Sequence, residues 1–267
     1  EEQLTQQDRV ELEQKLAEDF QSTPVFLCED DLENYYYGFC NRTIWPLFHY
    51  FVNNAEYDHD QWHSYCEVNR KFFDKLAELI NPGDTVWIHD YQLFLLPQMI
   101  REKFPDTSIG FFLHIPFPSY ELFRLMPWRE EILQGVLGSD LVGFHTYDYV
   151  RHFLSSCRRL LGYEHNLGYI NVGNRMVKAD VFPMGIDYDR YHNAHEQQAI
   201  QAETAEILKK VRGTQLVLSV DRLDYTKGIL ERLQAIEILL ERYDDVRGRF
   251  TFVQLSAPSR TKVHAYQ

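Results

Sequence analysis

A chain of 267 residues has room for one large or two ordinary domains. Its hydrophobic content of 45% and aromatic content of 15% suffice for a sizeable core, while a formal net charge of −13 argues against a nucleic-acid ligand, which selects basic surfaces. That charge leaves phosphorylated small molecules open, because a few converging cations in a cleft are enough for them. No apolar run approaches the ~20 residues needed to span a bilayer.

Cys28, Cys40, Cys66 and Cys157 are scattered and form no CxxC pair. They read as reduced thiols of a cytoplasmic protein, with neither a disulfide framework nor a metal site. No signal peptide is visible, although the first residue is Glu1. The first 20 residues read as a charged helix without a lead-in, and 259–267 begins a new element and stops. The chain therefore reads as an internal segment of a larger protein.

In chain order, Pro24-Val-Phe-Leu-Cys28 predicts a short strand, and 35–50 is unusually aromatic. Apolar spacing predicts a helix over 62–80, ended by Asn81-Pro-Gly-Asp84. An alternation follows: a buried strand at 85–89, a helix over 93–104, a second buried strand at 108–114 and a helix over 128–137. A strand at 140–144, a helix over 147–161 and paired strands at 167–172 and 175–182 around Gly173-Asn174 come next. The last elements are a helix over 196–211, a strand at 215–220, a helix over 229–242 and a strand at 249–255. Short apolar strands alternating with helices predict an α/β fold whose parallel sheet is covered on both faces. The polar stretch 187–198 suggests a domain boundary, placed at 190/191.

In such sheets ligands bind beyond the carboxyl ends of the strands, so residues just after strands carry the functional argument. Asp90 can orient or deprotonate a hydroxyl; equally, it can cap the helix that follows. His114 precedes Ile-Pro-Phe-Pro, a loop stiffened by two prolines. It can serve a substrate from there, or be a histidine satisfied within the core. Arg222 and Lys227 stand between a strand and a helix N-terminus, with Gly228 where the backbone must turn. That setting favours a doubly charged anion such as a diphosphate over solvated charges paired with Asp221, Asp224 or Glu231. Arg260 offers a fork of donors to a phosphate. The aromatic stretch suits core packing, or a wall for a sugar ring. The histidines show no metal-ligand spacing.

Seven segments in order carry a resemblance. They are Tyr36-Tyr-Gly-Phe-Cys-Asn41 with Trp45-Pro-Leu-Phe-His49, Trp87-Ile-His-Asp-Tyr-Gln92, Gly110-Phe-Phe-Leu-His-Ile-Pro-Phe-Pro118, Asp140-Leu-Val-Gly-Phe-His-Thr-Tyr147, Phe182-Pro-Met-Gly-Ile-Asp187, Asp221-Arg-Leu-Asp-Tyr-Thr-Lys-Gly228 and Ala257-Pro-Ser-Arg260. Together they resemble the trehalose-6-phosphate synthase family of retaining, UDP-forming glycosyltransferases. The resemblance implies two Rossmann-like domains facing a cleft (the GT-B type), both incomplete here. Residues 1–190 would be an acceptor domain lacking its first strand and glycine-rich loop, and 191–267 the beginning of a nucleotide-sugar domain.

The family transfers glucose from UDP-glucose to glucose 6-phosphate, giving trehalose 6-phosphate and UDP. Carried over by motif, Arg222 and Lys227 would hold the donor diphosphate and His114 the donor glucose and its phosphate. Asp90 would bond the acceptor sugar, with Tyr36, Trp45 and Arg260 around the acceptor and its 6-phosphate. No metal or other cofactor is implied. Homo-oligomerisation and a fused or associated trehalose-phosphate phosphatase stay open. So do two alternatives: a sister enzyme with another phosphorylated acceptor, such as a glucosylglycerol-phosphate synthase, and a catalytically silent regulatory homologue. These 267 residues alone are expected not to catalyse transfer.

Overall fold

The computed structural model describes residues 5–211 and 213–258. The chain forms two compact units, Glu1–Phe182 and Pro183–Gln267. The division falls at Phe182/Pro183, eight residues before the position suggested by the polar stretch.

The first unit is built on a six-stranded sheet: β1 (Thr85–His89), β2 (Ser108–Phe112), β3 (Leu141–Phe144), β4 (His165–Asn166), β5 (Tyr169–Val172) and β6 (Arg175–Val181). Its order is β1-β2-β3-β6-β5-β4. The first three strands and β6 run parallel, with Trp87 opposite Gly110, Phe111 opposite Val142 and Val142 opposite Ala179. The β5–β6 pair is antiparallel, and Val172 faces Arg175 across the turn in which Gly173 takes φ 58°.

Helices α1 (Gln6–Phe20), α2 (His59–Ala77), α3 (Leu96–Lys103), α4 (Arg129–Val136) and α5 (Tyr147–Leu161) complete the unit. Helix α5 shows how local sequence sets its bounds. Thr146 caps its first turn by accepting from the Tyr149 amide, and Gly162 ends it in the left-handed region at φ 72°. Between those ends Val150, Phe153, Leu154 and Cys157 make a buried stripe at helical spacing.

Two expectations fail in this unit. Residues 24–28 form no strand, although their composition is apolar. The strand at 85–89 is not buried on both faces: Ile88 points into the core, while Trp87 is 67% exposed. Among the described residues β1 pairs with β2 alone.

The aromatic stretch folds as a π-helix over Leu32–Ile44, continued by a short helix at Trp45–Phe48. The Trp45 amide donates to the Cys40 carbonyl five residues back. π-Helices usually last a single turn and cluster at functional sites. Here Phe39 and Tyr65 are wholly buried, their rings 4.7 Å apart, and Trp62 stacks on Trp128 at 5.1 Å. Gly38 permits the close approach of α2, since a Cβ there would lie 2.9 Å from Gln61 Cδ. An ion pair pins the start of the segment, with Lys71 Nζ 2.7 Å from an Asp31 carboxylate oxygen. Much of this stretch is therefore core.

In the second unit, α6 (Gln198–Lys210) precedes β7 (Gln215–Arg222), α7 (Ile229–Arg242) and β8 (Phe250–Ala257). Strands β7 and β8 pair in parallel from Gln215 opposite Phe250 to Arg222 opposite Ala257. With α7 between them they make one βαβ unit. The expectation of cover on both faces fails again: Leu218 is 59% and Val220 63% exposed. No helix among the described residues is long and apolar enough to cross a membrane.

Candidate active site

In the first unit, chemically capable side chains gather where β1, β2 and β3 end. Asp90 follows β1, His114 lies two residues beyond β2 and His145 follows β3 directly. Parallel strands in register end together, so three residues distant in sequence meet at one edge.

Asp90 adopts φ 73°, ψ 172°, a region that only glycine enters without strain. Its surroundings hold it there. The Asp90 amide donates to the Phe112 carbonyl at 2.8 Å. The next residues are held from below: the Tyr65 hydroxyl donates to the Tyr91 carbonyl at 2.7 Å and accepts from the Phe94 amide at 2.9 Å. Tyr35 and Asn69 both donate to the Gln92 carbonyl at 3.1 Å. Such over-determination is what lets strain persist.

The Asp90 side chain does not act as the N-cap of the turn that follows, although the Tyr91 amide is among the donors it meets. It accepts from the His114 amide at 3.1 Å, tying the end of β1 to the loop after β2. Burial pushes its carboxyl above the usual carboxylate range, opposed by the His114 and Tyr91 amides and the charges of His114 and His89.

His114 is half-buried, its Nε2 3.0 Å from His89 Nδ1 and its ring 5.8 Å from that of His145. Burial holds it below the ordinary imidazole range; His89 and His145 push the same way, and Asp90 opposes them. The proline loop is anchored on both sides: the Phe117 carbonyl meets His152 Nδ1 at 3.1 Å, and the Ser119 amide donates to the Tyr50 hydroxyl at 3.0 Å. Three histidines side by side suggest a metal, but among the described residues no group of His, Cys, Asp and Glu could hold one.

Tyr36 lies on the π-helix and Trp45 directly after it, Trp45 packing near Tyr91. Trp45 is buried, its ring 4.0 Å from His49 and 5.9 Å from Tyr91, the neighbour of Asp90. Tyr36 is half-buried and edge-on to Tyr37 at 5.2 Å. Asn41 connects the two elements: its Nδ2 donates to the Tyr36 carbonyl at 2.6 Å, and its Oδ1 accepts from the Tyr91 hydroxyl at 3.2 Å.

In the second unit, Arg222 ends β7 and Lys227 ends a short 3₁₀ turn at Tyr225–Lys227, both exposed. Asp224 shapes the turn by accepting from the Thr226 amide and hydroxyl at 2.9 and 2.8 Å. Gly228, at φ 61°, supplies the left-handed step into α7. Asp221 is engaged by Arg232 at 2.9 Å, a partner that composition did not suggest. Hydrogen bonds from Arg232 and Ser219 hold its carboxyl below the usual range.

Sequence reading passed over Arg232. Its guanidinium also contacts the Ser219 hydroxyl, donates to Gln254 Oε1 on β8 at 3.1 Å and to the Lys227 carbonyl at 3.1 Å. It fastens β7, β8 and the cation-bearing turn together. The available signal was its place one turn into the helix after Gly228. Arg260 lies outside the described residues.

Comparison with known proteins shows the family. The glycosyltransferase family 20 profile matches residues 1–267, and the chain belongs to that family. It is 44% identical over 264 residues to the UDP-forming α,α-trehalose-phosphate synthase A of Dictyostelium discoideum, covering 99% of this chain and 36% of that protein. Among solved structures, that of the UDP-forming α,α-trehalose-phosphate synthase of Burkholderia xenovorans with glucose 6-phosphate is similar at TM-score 0.83 and 33% identity, over 90% of this chain and 55% of the other. The E. coli structure bound with UDP-2-fluoro glucose is similar at TM-score 0.84 and 33% identity, over 90% and 54%. The chain thus spans about a third to a half of these proteins' length.

Proposed function

We propose that the whole protein transfers glucose from UDP-glucose to glucose 6-phosphate with retention, forming trehalose 6-phosphate and UDP. The observation that carries this reading is the strained Asp90 held against His114 at the strand ends of a family 20 chain. The names of the similar proteins, and the two ligands bound in the solved structures, support it.

In this reading each strand-end residue singled out from the sequence has a task in the transfer. Arg222 and Lys227 bind the donor diphosphate and stabilise the charge that grows on it as it leaves. His114 contacts the donor glucose, and Asp90 holds a hydroxyl of the acceptor sugar. Tyr36, Trp45 and Arg260 surround the acceptor and its 6-phosphate. The acceptor's anomeric hydroxyl attacks the face from which the diphosphate departs. The bond from the anomeric carbon to the diphosphate oxygen breaks, the new glycosidic bond forms, and the acceptor proton passes to the departing phosphate oxygen. Retaining glycosidases require two placed carboxylates; here the diphosphate is already a good leaving group. The protein's work is orientation, worth at best on the order of 7–11 kcal/mol, together with charge stabilisation. The scheme calls on no resident metal.

The test is UDP release by the whole protein given UDP-glucose with glucose 6-phosphate, with glycerol 3-phosphate or with no acceptor. Turnover with glucose 6-phosphate alone is expected. Turnover only with glycerol 3-phosphate selects the sister enzyme, and none with either selects a silent homologue.

A further inference from the structure

His89, like His145, stands at the strand ends with no task in the transfer scheme, and His89 alone of the two meets a His114 ring nitrogen at hydrogen-bond distance. It ends β1, exposed, with the Trp87 ring 4.4 Å from its own. Its Nδ1 lies 3.0 Å from His114 Nε2. At that separation one ring nitrogen donates and the other accepts, so a single proton lies between them. Protonating both rings would set two N–H groups and two like charges against each other.

We propose that His89 is a positioning residue for His114: by engaging Nε2, it fixes the tautomer of His114 and leaves Nδ1 as the nitrogen offered to the donor sugar. This rests on the reading of His114 as a donor ligand. The geometry permits nothing else on Nε2 while the pair is intact. In this arrangement His89 Nδ1–H donates to the Nε2 lone pair of a neutral His114.

Three titratable groups face His114 from the adjoining strand ends: Asp90 and His89 from β1, and His145 from β3. Asp90 alone favours the cation, and burial opposes it. Removing His89 takes away one of the two groups that disfavour the imidazolium and frees the Nε2 lone pair. His114 should then protonate at higher pH.

The test uses the whole protein. His89→Phe keeps a ring beside Trp87 and removes the nitrogen contact; kcat/KM is expected to fall about 10–100-fold, the scale for losing a partner that orients a working histidine. The acid limb of its pH profile is expected to move to higher pH. His89→Gln, whose side-chain amide can still meet Nε2, should recover most of the loss. A ¹⁵N NMR titration of His114, assigned by its disappearance in His114→Asn, reads the same upward shift without turnover. An unchanged His114 titration in His89→Phe overturns the proposal, as does His89→Gln behaving no better than His89→Phe. Should the whole protein release no UDP with any acceptor, the proposed activity fails, and the NMR titration still decides the role of His89.

Discussion

Asp90 and His114 stand after β1 and β2, whose Ile88, Ile109 and Phe111 are buried, and the residues following Asp90 are bolted down by Tyr65, Asn69 and Tyr35. Arg222 ends β7 and Lys227 ends the turn after it, where Arg232 links β7, β8 and the turn. Buried aromatic side chains hold the first region, and a guanidinium bridges strands and turn in the second. A packed site can hold a backbone in a strained state, because many contacts must break before it relaxes. A guanidinium that bridges three elements can be removed by one substitution, so its share in holding the turn is open to direct test.

The largest effect expected from that contrast is chemical. Arg222→Ala in the whole protein should lower kcat/KM for UDP release by ~100-fold or more, as loss of a transition-state charge donor does; an unchanged rate would remove Arg222 from the site. Next comes the guanidinium bridge. Arg232→Ala removes the bond to the Lys227 carbonyl, and kcat/KM should fall about 10-fold, within the ~100-fold that a misplacement of ~1 Å can produce. A fall confined to the KM for glucose 6-phosphate would contradict a role on the donor side.

The packed site has its own signature. Asp90→Ala and Asp90→Gly both remove the carboxylate, but only glycine relieves the backbone. The glycine variant should be the more stable of the two by about 1–2 kcal/mol in denaturant unfolding, after allowance for glycine's freer unfolded chain. Equal stabilities would mean that Asp90 is not strained.

The smallest effect concerns charge. Burial raises the Asp90 carboxyl, so in the window between its ordinary and raised values the folded state binds more protons than the unfolded state. Its burden on stability therefore grows as pH rises through that window and is complete at neutral pH. Asp90→Asn keeps an acceptor for the His114 amide and removes the charge. It should stabilise the protein at pH 7 by about 0.5–1 kcal/mol, with no gain below about pH 4, near the ordinary carboxylate value. Denaturant midpoints at the two pH values check the sign.

The alternation of short apolar runs with amphipathic ones was enough to locate β1, α5 and α7 at their observed bounds, because caps and turns such as Thr146, Gly162 and Gly228 punctuate them. The cover on each strand was not legible. An apolar run such as 85–89 reads the same whether one face or both are covered, because what packs on each face comes from elements distant in sequence. The strand-end rule brought Asp90 and His114 together correctly. It did not reveal that Asp90 bonds the His114 amide in place of capping its own turn, since that depends on the register of two strands. Arg232 and the His89–His114 contact escaped for the same reason: each is defined by partners far away in sequence.

The π-helix has a consequence for length. Its five-residue spacing sets the rotational phase at which Asn41 and Trp45 leave the segment, and Asn41 is the link to Tyr91 beside Asp90. One residue of an α-helix corresponds to a turn of about 100°. Deleting a residue between Tyr36 and Cys40 would let the chain settle into α spacing and swing Asn41 away from Tyr91 by about that angle. Conservative exchanges in this stretch should be tolerated better than any change in its residue count, so the spacing between Tyr36 and Trp45 is itself part of the site.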